Sequence, residues 1–291
     1  MLNSSHEGVN IAQVSTTLPT LSPTYPSQVQ ELLLHLLAFS YFCFTMQYEL
    51  QLFFNFTANE IVGTKIRNWI SGILSATVVN GGLVGDSQLT LASGLSQYVS
   101  IDSFTVSSLG LSFAFWFKSE NSGTNARIVD FGNGFGIDNF LIISNANGGN
   151  GLWLIFGNGQ TWYDWKYSNY NVNNNIWHHL VWVLDPVGSW TVYFDGARIA
   201  QLQIPYPNTA ATSLNYIGKS IDASVPYFNG SIADFRIYNR VLDFTEIVPL
   251  KDFGAPFGAR SPSAVPTTTT PSFRPSVQPR NLSSFCADHI V

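Results

Sequence analysis

The sequence predicts an all-β fold, a two-sheet antiparallel β-sandwich. Three observations predict it. Short runs of aromatic and β-branched residues follow one another from residue 73 to residue 238. Asn-Gly and Asp-Gly pairs separate those runs. No long helical period interrupts them.

The runs are LSATVVNGG, SQYVSID, LSFAFWFK, ARIVDFG, NFLIIS, GLWLIFG, QTWYDWKY, IWHHLVWVLD, WTVYFDG, ARIAQLQI, NYIGK and FNGSIADFRIYN, a dozen strand candidates. The turn signals are Asn80-Gly81-Gly82, Asn147-Gly148-Gly149, Asn158-Gly159 and Asp195-Gly196. Asn-Gly and Asp-Gly suit two-residue turns whose twist matches that of the flanking strands. GLWLIFG-NG-QTWYDWKY and WTVYF-DG-ARIAQLQI therefore read as hairpins. The stretch VLDFTEIVPL, ending at Leu250, is the one place for a helical turn, with Pro249 expected to close it. So many hairpin-linked strands cannot remain one flat sheet, and two packed sheets enclosing one core follow.

Composition agrees. The 291 residues include 22 Phe, 12 Tyr and 8 Trp, while charged residues make up 11%. An average domain carries roughly 25% charged residues. Each buried aromatic removes roughly 150–250 Å² from water, so a large core is available. The formal net charge is −5 and no run of Lys and Arg is present, which excludes a nucleic-acid partner that would need clustered cations on phosphate. Cys43 and Cys286 lie in opposite tails and define neither a metal site nor a disulfide framework.

Four regions are expected. Residues 1–30 are a disordered Ser/Thr/Pro-rich tail or linker, and residues 251–291 repeat that character as a Pro/Thr/Ser-rich linker or tail. Residues 54–250 hold the sandwich. Residues 31–53 form an apolar segment that interrupts its opening strand. That segment reads as an insertion in the fold, as a membrane anchor or as a misassigned stretch of coding sequence. The anchor is not favoured, because the apolar run meets Gln47, Glu49 and Gln51 before reaching the roughly 20 residues a span needs.

The succession LSFAFWFKSENSGTNARIVDFGNG, NNNIWHHLVWVLDPVGSWTVYFDGARI, NYIGKS and FNGSIADFRIYNRVL resembles the laminin-G-like, concanavalin A-like lectin/glucanase jelly-roll superfamily. The closing motif from Gly230 to Leu242 is its most specific part. The resemblance implies a jelly roll whose N-terminal strand pairs with its C-terminal one. It also implies a structural calcium held by the residue at the place of Asp234, with backbone carbonyls as the other ligands, which suits a hard cation.

The resemblance extends to retaining glycosidases, whose paired carboxyl groups stand about 5–5.5 Å apart. No strand here offers acidic residues at alternating positions, and the six glutamates are scattered, so no catalytic residue is expected and the chain is read as a non-enzyme. His178 and His179 are adjacent in a strand and face opposite ways, which defeats a paired metal site. Asp130, Asn133, Asp138 and Asn150 are a second, weaker calcium candidate in loops, where turn geometry is the commoner reason for such residues. In the aromatic stretch from Trp162 to Tyr167 the ligand-binding candidates are Trp162, Tyr163, Asp164, Trp165 and Tyr167. On a strand, Trp162, Asp164 and Lys166 share one face and Tyr163, Trp165 and Tyr167 the other, one set core and one set open. N-glycosylation sequons begin at Asn3, Asn55, Asn229 and Asn281 and mildly support a secretory route.

The favoured function is a non-catalytic, secreted or cell-surface recognition module for a glycan or an extracellular protein. A structural spacer or adhesion domain of a larger surface protein is the alternative, and a glycan hydrolase stands third.

Overall fold

The computed structural model describes residues 47–256 and 259, apart from 121, 135, 136, 160 and 169. Its strands are β1 (Leu50–Phe54), β2 (Ile61–Val62), β3 (Lys65–Arg67), β4 (Leu74–Val79), β5 (Leu83–Gly85), β6 (Gln88–Leu91), β7 (Tyr98–Ile101), β8 (Phe104–Thr105), β9 (Leu111–Ser119) and β10 (Arg127–Gly132). They continue as β11 (Phe140–Ala146), β12 (Gly151–Asn158), β13 (Thr161–Tyr167), β14 (His178–Asp185), β15 (Ser189–Phe194), β16 (Ala197–Gln203), β17 (Ala211–Thr212), β18 (Leu214–Ile217) and β19 (Gly230–Tyr238). Helix α1 (Phe244–Gly254) follows.

Two large antiparallel sheets form the expected sandwich. One has eight strands in the order β16-β15-β14-β9-β19-β6-β5, with β1 also on β19. The other has nine, in the order β13-β12-β11-β10-β18-β7-β4-β3-β2. Strand β19 is the seam. It pairs with β9 along one side, and its other side is shared by β6 over Gly230–Ile232 and β1 over Phe235–Tyr238.

Period-two alternation builds the core. On β9, Leu111, Phe113, Phe115 and Phe117 point between the sheets, as do Leu180, Trp182 and Leu184 on β14. Across the gap they meet Phe131, Phe140 and Phe156 of the nine-stranded sheet. Trp182 and Trp190 cross edge-to-face at 4.9 Å.

The Asp195-Gly196 turn forms as expected. Phe194 faces Ala197, and both turn residues have positive φ, 52° and 85°, the geometry of a type I′ turn. In the other hairpin Asn158 is still paired, with Thr161, so the turn falls one residue later than the Asn-Gly pair suggested. Gly159, at φ 62°, takes its first position.

The structure departs from the sequence reading at both ends of the domain. Strand β1 begins at Leu50, inside the segment expected to interrupt the fold, and the rest of that segment up to residue 46 lies outside the described residues. Helix α1 runs past both Pro249 and residue 250. Asp243 caps it with a reciprocal capping box to Glu246, which fixes the first turn, and burial of Ile247, Leu250 and Gly254 holds the part beyond the proline. Among the described residues no helix is long and apolar enough to cross a membrane. Cys43, Cys286 and the sequons at Asn3 and Asn281 lie outside the described residues.

Candidate functional site

Strand β13 is an edge strand, and it splits the aromatic candidate as its alternation requires. Tyr163, Trp165 and Tyr167 face inward and pack, partly buried, against the core. Tyr163 stacks on Phe156 at 5.3 Å, and Trp165, Tyr167 and Tyr170 form a stacked ladder with steps of 5.7 and 5.5 Å. Trp162, Asp164 and Lys166 face outward, with Trp162 43% exposed. Of the five residues read as ligand contacts, Trp162 and Asp164 share the outer face, and the three inward aromatics line the rim between the sheets.

The outer face contains more than the sequence reading named. Trp153 on β12 stands opposite Lys166. Its Nε1 donates to Asp164 Oδ2 at 2.8 Å, and the Lys166 ammonium lies 3.7 Å from the centre of its ring. An exposed cation–π contact contributes about 0.5–1 kcal/mol, enough to bias the lysine without fixing it. Trp162 pairs with Gly157, and its six-membered ring covers the position where a side chain at 157 would start, 3.4 Å from an ideal Cβ. A bare Cβ there would just touch the indole, and a longer side chain at 157 would compete with the ring for its seat.

Beside this platform, Asp138 Oδ1 accepts from Gly159 N at 2.8 Å and from Asn208 Nδ2 at 3.0 Å. Leu141, Ile143 and Ile155 form the apolar floor next to Trp153. Further across the sheet, Tyr98 of β7 and Tyr216 of β18 meet edge-to-face at 5.6 Å, and the Lys219 ammonium lies 4.6 and 4.5 Å from their ring centres.

The loop calcium candidate does not come together as one group. Asp130 is buried on β10, where its Oδ2 accepts from Ser220 Oγ and Ile221 N, both at 2.9 Å, and burial pushes its carboxyl up to about 6. Asn133 accepts from Ser213, and Asn150 bonds to Asn173. Each residue holds its own loop, as turn chemistry explains.

Asp234 lies on the outer face of the eight-stranded sheet at a β-bulge in β19, with φ 49°. Aspartate is among the few non-glycine residues that tolerate this left-handed conformation. Oδ1 accepts from Arg236 Nε at 3.0 Å and Nη2 at 2.7 Å, while Oδ2 is buried without a hydrogen-bond partner. The carboxylate faces Gly254 at the end of α1. Among the described residues no three His, Cys, Asp or Glu side chains gather as a metal site. The single free carboxylate oxygen is thus what Asp234 offers to a hard cation.

The two histidines face opposite ways. His178 packs inward against Phe194 and bonds through Nδ1 to Asp195 at 2.9 Å. His179 lies outward against Trp116, with both ring nitrogens buried and unpartnered, and burial lowers its pKa to about 3. Two sequons fall on engaged residues. Asn55 is buried. Asn229 donates to Glu120 O at 2.6 Å and accepts from Ser93 N at 3.1 Å.

Comparison with known proteins agrees with this architecture. The chain resembles the Sushi, von Willebrand factor type A, EGF and pentraxin domain-containing protein 1 of Rattus norvegicus, 34% identical over 110 residues that make up 36% of this chain and 3% of that protein. Solved structures with the same fold include domain 4 of AbnA, a GH43 extracellular arabinanase from Geobacillus stearothermophilus, in complex with arabinotriose. The TM-score is 0.51 at 22% identity, covering 70% of this chain and 98% of that domain. The binding domain of botulinum neurotoxin DC is another, in complex with rat synaptotagmin II (TM-score 0.54, 16% identity, 71% of this chain and 52% of that one). The same toxin domain is also similar in its complex with SialylT (TM-score 0.52, 14% identity, again 71% and 52%). The Laminin_G_3 family model matches residues 93–248, more than half of the sequence. With two antiparallel sheets closed by the Gly230–Tyr238 strand, the chain belongs to the concanavalin A-like lectin/glucanases superfamily.

Proposed function

We propose that this domain is a non-catalytic, extracellular glycan-recognition module that binds through the outer face of β12 and β13. The observation that carries the reading is Trp162, 43% exposed and seated over Gly157. A fixed indole offers apolar area to a sugar ring at little entropic cost, and Asp138 and Asn208 supply polar direction beside it. Glycan ligands in the similar AbnA and neurotoxin domains support a glycan over a purely structural role.

Asp130 and Asp164 stand too far apart to act as a glycosidase pair. Asp130, Leu141, Ile155 and Asp164 are successive partners across four strands, which separates the two acids by roughly 14 Å. Retaining enzymes need about 5–5.5 Å and inverting enzymes about 6.5–9.5 Å.

The test is a glycan array with the full chain, followed by calorimetry on the best ligand. Trp162→Ala should weaken binding at least tenfold without moving the melting temperature. Binding to no glycan would leave the spacer alternative in its place, and turnover of any polysaccharide would overturn the non-enzyme reading.

A structural calcium at Asp234 has one observation on its side, the buried, unpartnered Oδ2. Main-chain carbonyls would complete the shell. Calcium should then raise the melting temperature of the wild type over that in chelator, and Asp234→Asn should abolish the difference. Equal melting with and without calcium would overturn this reading.

A further inference from the structure

The face that carries Trp162 also holds two lysines in an unusual state. Lys166 and Lys219 take part in no salt bridge among the described residues, although the chain carries more acids than bases. Each ammonium rests on aromatic rings, Lys166 on Trp153 and Lys219 on Tyr98 and Tyr216. Acids share this face and keep their charge, yet none of them pairs with either lysine. Asp164 accepts from the Trp153 indole, Asp138 from Gly159 N and Asn208, Asp130 from Ser220 and Ile221 N, and Asp222 from Ser224 N at 2.9 Å and Ser224 Oγ at 2.7 Å.

From β13 to β18 the sheet steps through β12, β11 and β10, so the two lysine–aromatic units stand roughly 19 Å apart. The apolar side chains of Leu141, Ile143 and Ile155 lie between them. A short oligosaccharide spans that distance. A neutral sugar could reach the Trp153 face only by pushing an ammonium into solvent. A sugar bearing a carboxylate or sulfate could take the ammonium as a partner and the vacated ring as a stacking surface at once.

We propose that this face selects anionic glycans, with Lys166 and Lys219 swinging from their aromatic rests to pair with carboxylate or sulfate groups. The inference rests on the glycan reading above and names the ligand class for that site. Trp162 supplies stacking area common to all sugars, whereas the two lysines supply the discrimination.

The experiment compares ligands that differ in charge alone. The full chain is titrated with a hyaluronan oligosaccharide and with the same oligosaccharide after reduction of its carboxylates to alcohols, and with sialyllactose against its carboxyl-reduced form. The acidic member should bind about tenfold tighter, and added salt should erase the difference. Lys166→Met and Lys219→Met should each weaken the acidic ligand about five- to tenfold without weakening the neutral one, so that the preference for the acidic member collapses, while Lys166→Arg and Lys219→Arg retain binding. Melting temperatures show that the variants fold.

Equal binding of charged and reduced sugars, both lost in Trp162→Ala, would overturn the anionic selection and leave glycan recognition standing. Failure of every sugar, charged or not, would overturn both. Binding to phosphatidylserine vesicles, insensitive to Trp162→Ala, would assign the lysines to a membrane surface and overturn the proposal too.

Discussion

Asp234 Oδ1 accepts both Nε and Nη2 of Arg236, two residues further along the same strand. Both side chains are almost wholly buried, and the guanidinium lies 4.3 Å from the ring centre of Phe53. Removing one member of a buried pair leaves an uncompensated charge, which costs about 3–5 kcal/mol. Asp234→Ala should lose stability of that size in urea unfolding. The double variant Asp234→Asn/Arg236→Met should recover most of it, since an uncharged pair needs no counter-charge and asparagine tolerates the left-handed backbone at 234. A double variant as unstable as the single one would mean that packing, not charge, dominates the seam.

Gly254 is required by the same carboxylate. A Cβ at 254 would collide with Oδ2, and the carboxylate is tied to Arg236 and cannot retreat. Gly254→Ala should destabilise by about 1–3 kcal/mol, the usual cost of overfilling a packed site. In an ordinary exposed helix the same change would stabilise, so the sign of the measured shift decides.

His179 should shape the acid limb of stability. Its folded pKa is about 3 against an ordinary value of 6.5, chiefly because burial disfavours the imidazolium. The unfolded chain takes up a proton below 6.5 and the folded one does not. The contribution is therefore full above pH 6.5 and is lost as pH falls towards 3, by about 1.4 kcal/mol per pH unit. Asp130, raised from 3.8 to about 6, acts in the opposite sense, since between those values the folded state binds the proton first. His179→Leu should consequently lose about 3 kcal/mol less than the wild type between pH 7 and pH 4 in urea unfolding. Parallel curves would show that the imidazole is not held neutral.

The seat of Trp162 can be tested without touching the tryptophan. A side chain at 157 would start 3.4 Å from the indole and 3.4 Å from Asn139 N. Gly157→Leu should evict the ring into solvent, shift its fluorescence to the red and reduce glycan affinity as Trp162→Ala does. Unchanged affinity would remove Trp162 from the binding face.

The two described sequons should remain unmodified in a secreted preparation. Asn55 is buried, and the side-chain amide of Asn229 is engaged at both ends. Mass spectrometry of peptides covering the two asparagines checks this directly, and an attached glycan at either would contradict the packing described.

The sandwich was legible because its signals are local. Asp195-Gly196 specifies its own turn, and the alternation of Leu111, Phe113, Phe115 and Phe117 marks a half-buried strand. Trp153 escaped notice because GLWLIFG is apolar on both faces, so period two is lost and its outward position is masked. Lys219 meets Tyr98 only through strand order, which no short window contains. Pro249 misled for a related reason, since the burial that carries α1 past it comes from a sheet distant in sequence.

The antiparallel pairing of β1 with β19 places Leu50 opposite Tyr238, with Asn239 N bonded to Glu49 O and Arg240 Nε to Tyr48 O just beyond. Tension drawn through the chain that precedes Tyr48 would load this corner first, since on the other side α1 intervenes and its Gly254 end rests on Asp234. The Arg240–Tyr48 and Asn239–Glu49 bonds would part before those between the strands, one after another as a zipper opens. A domain fastened in this manner yields by peeling at modest force instead of resisting in shear, and once β1 is stripped away the outer flank of Phe235–Tyr238 lies bare.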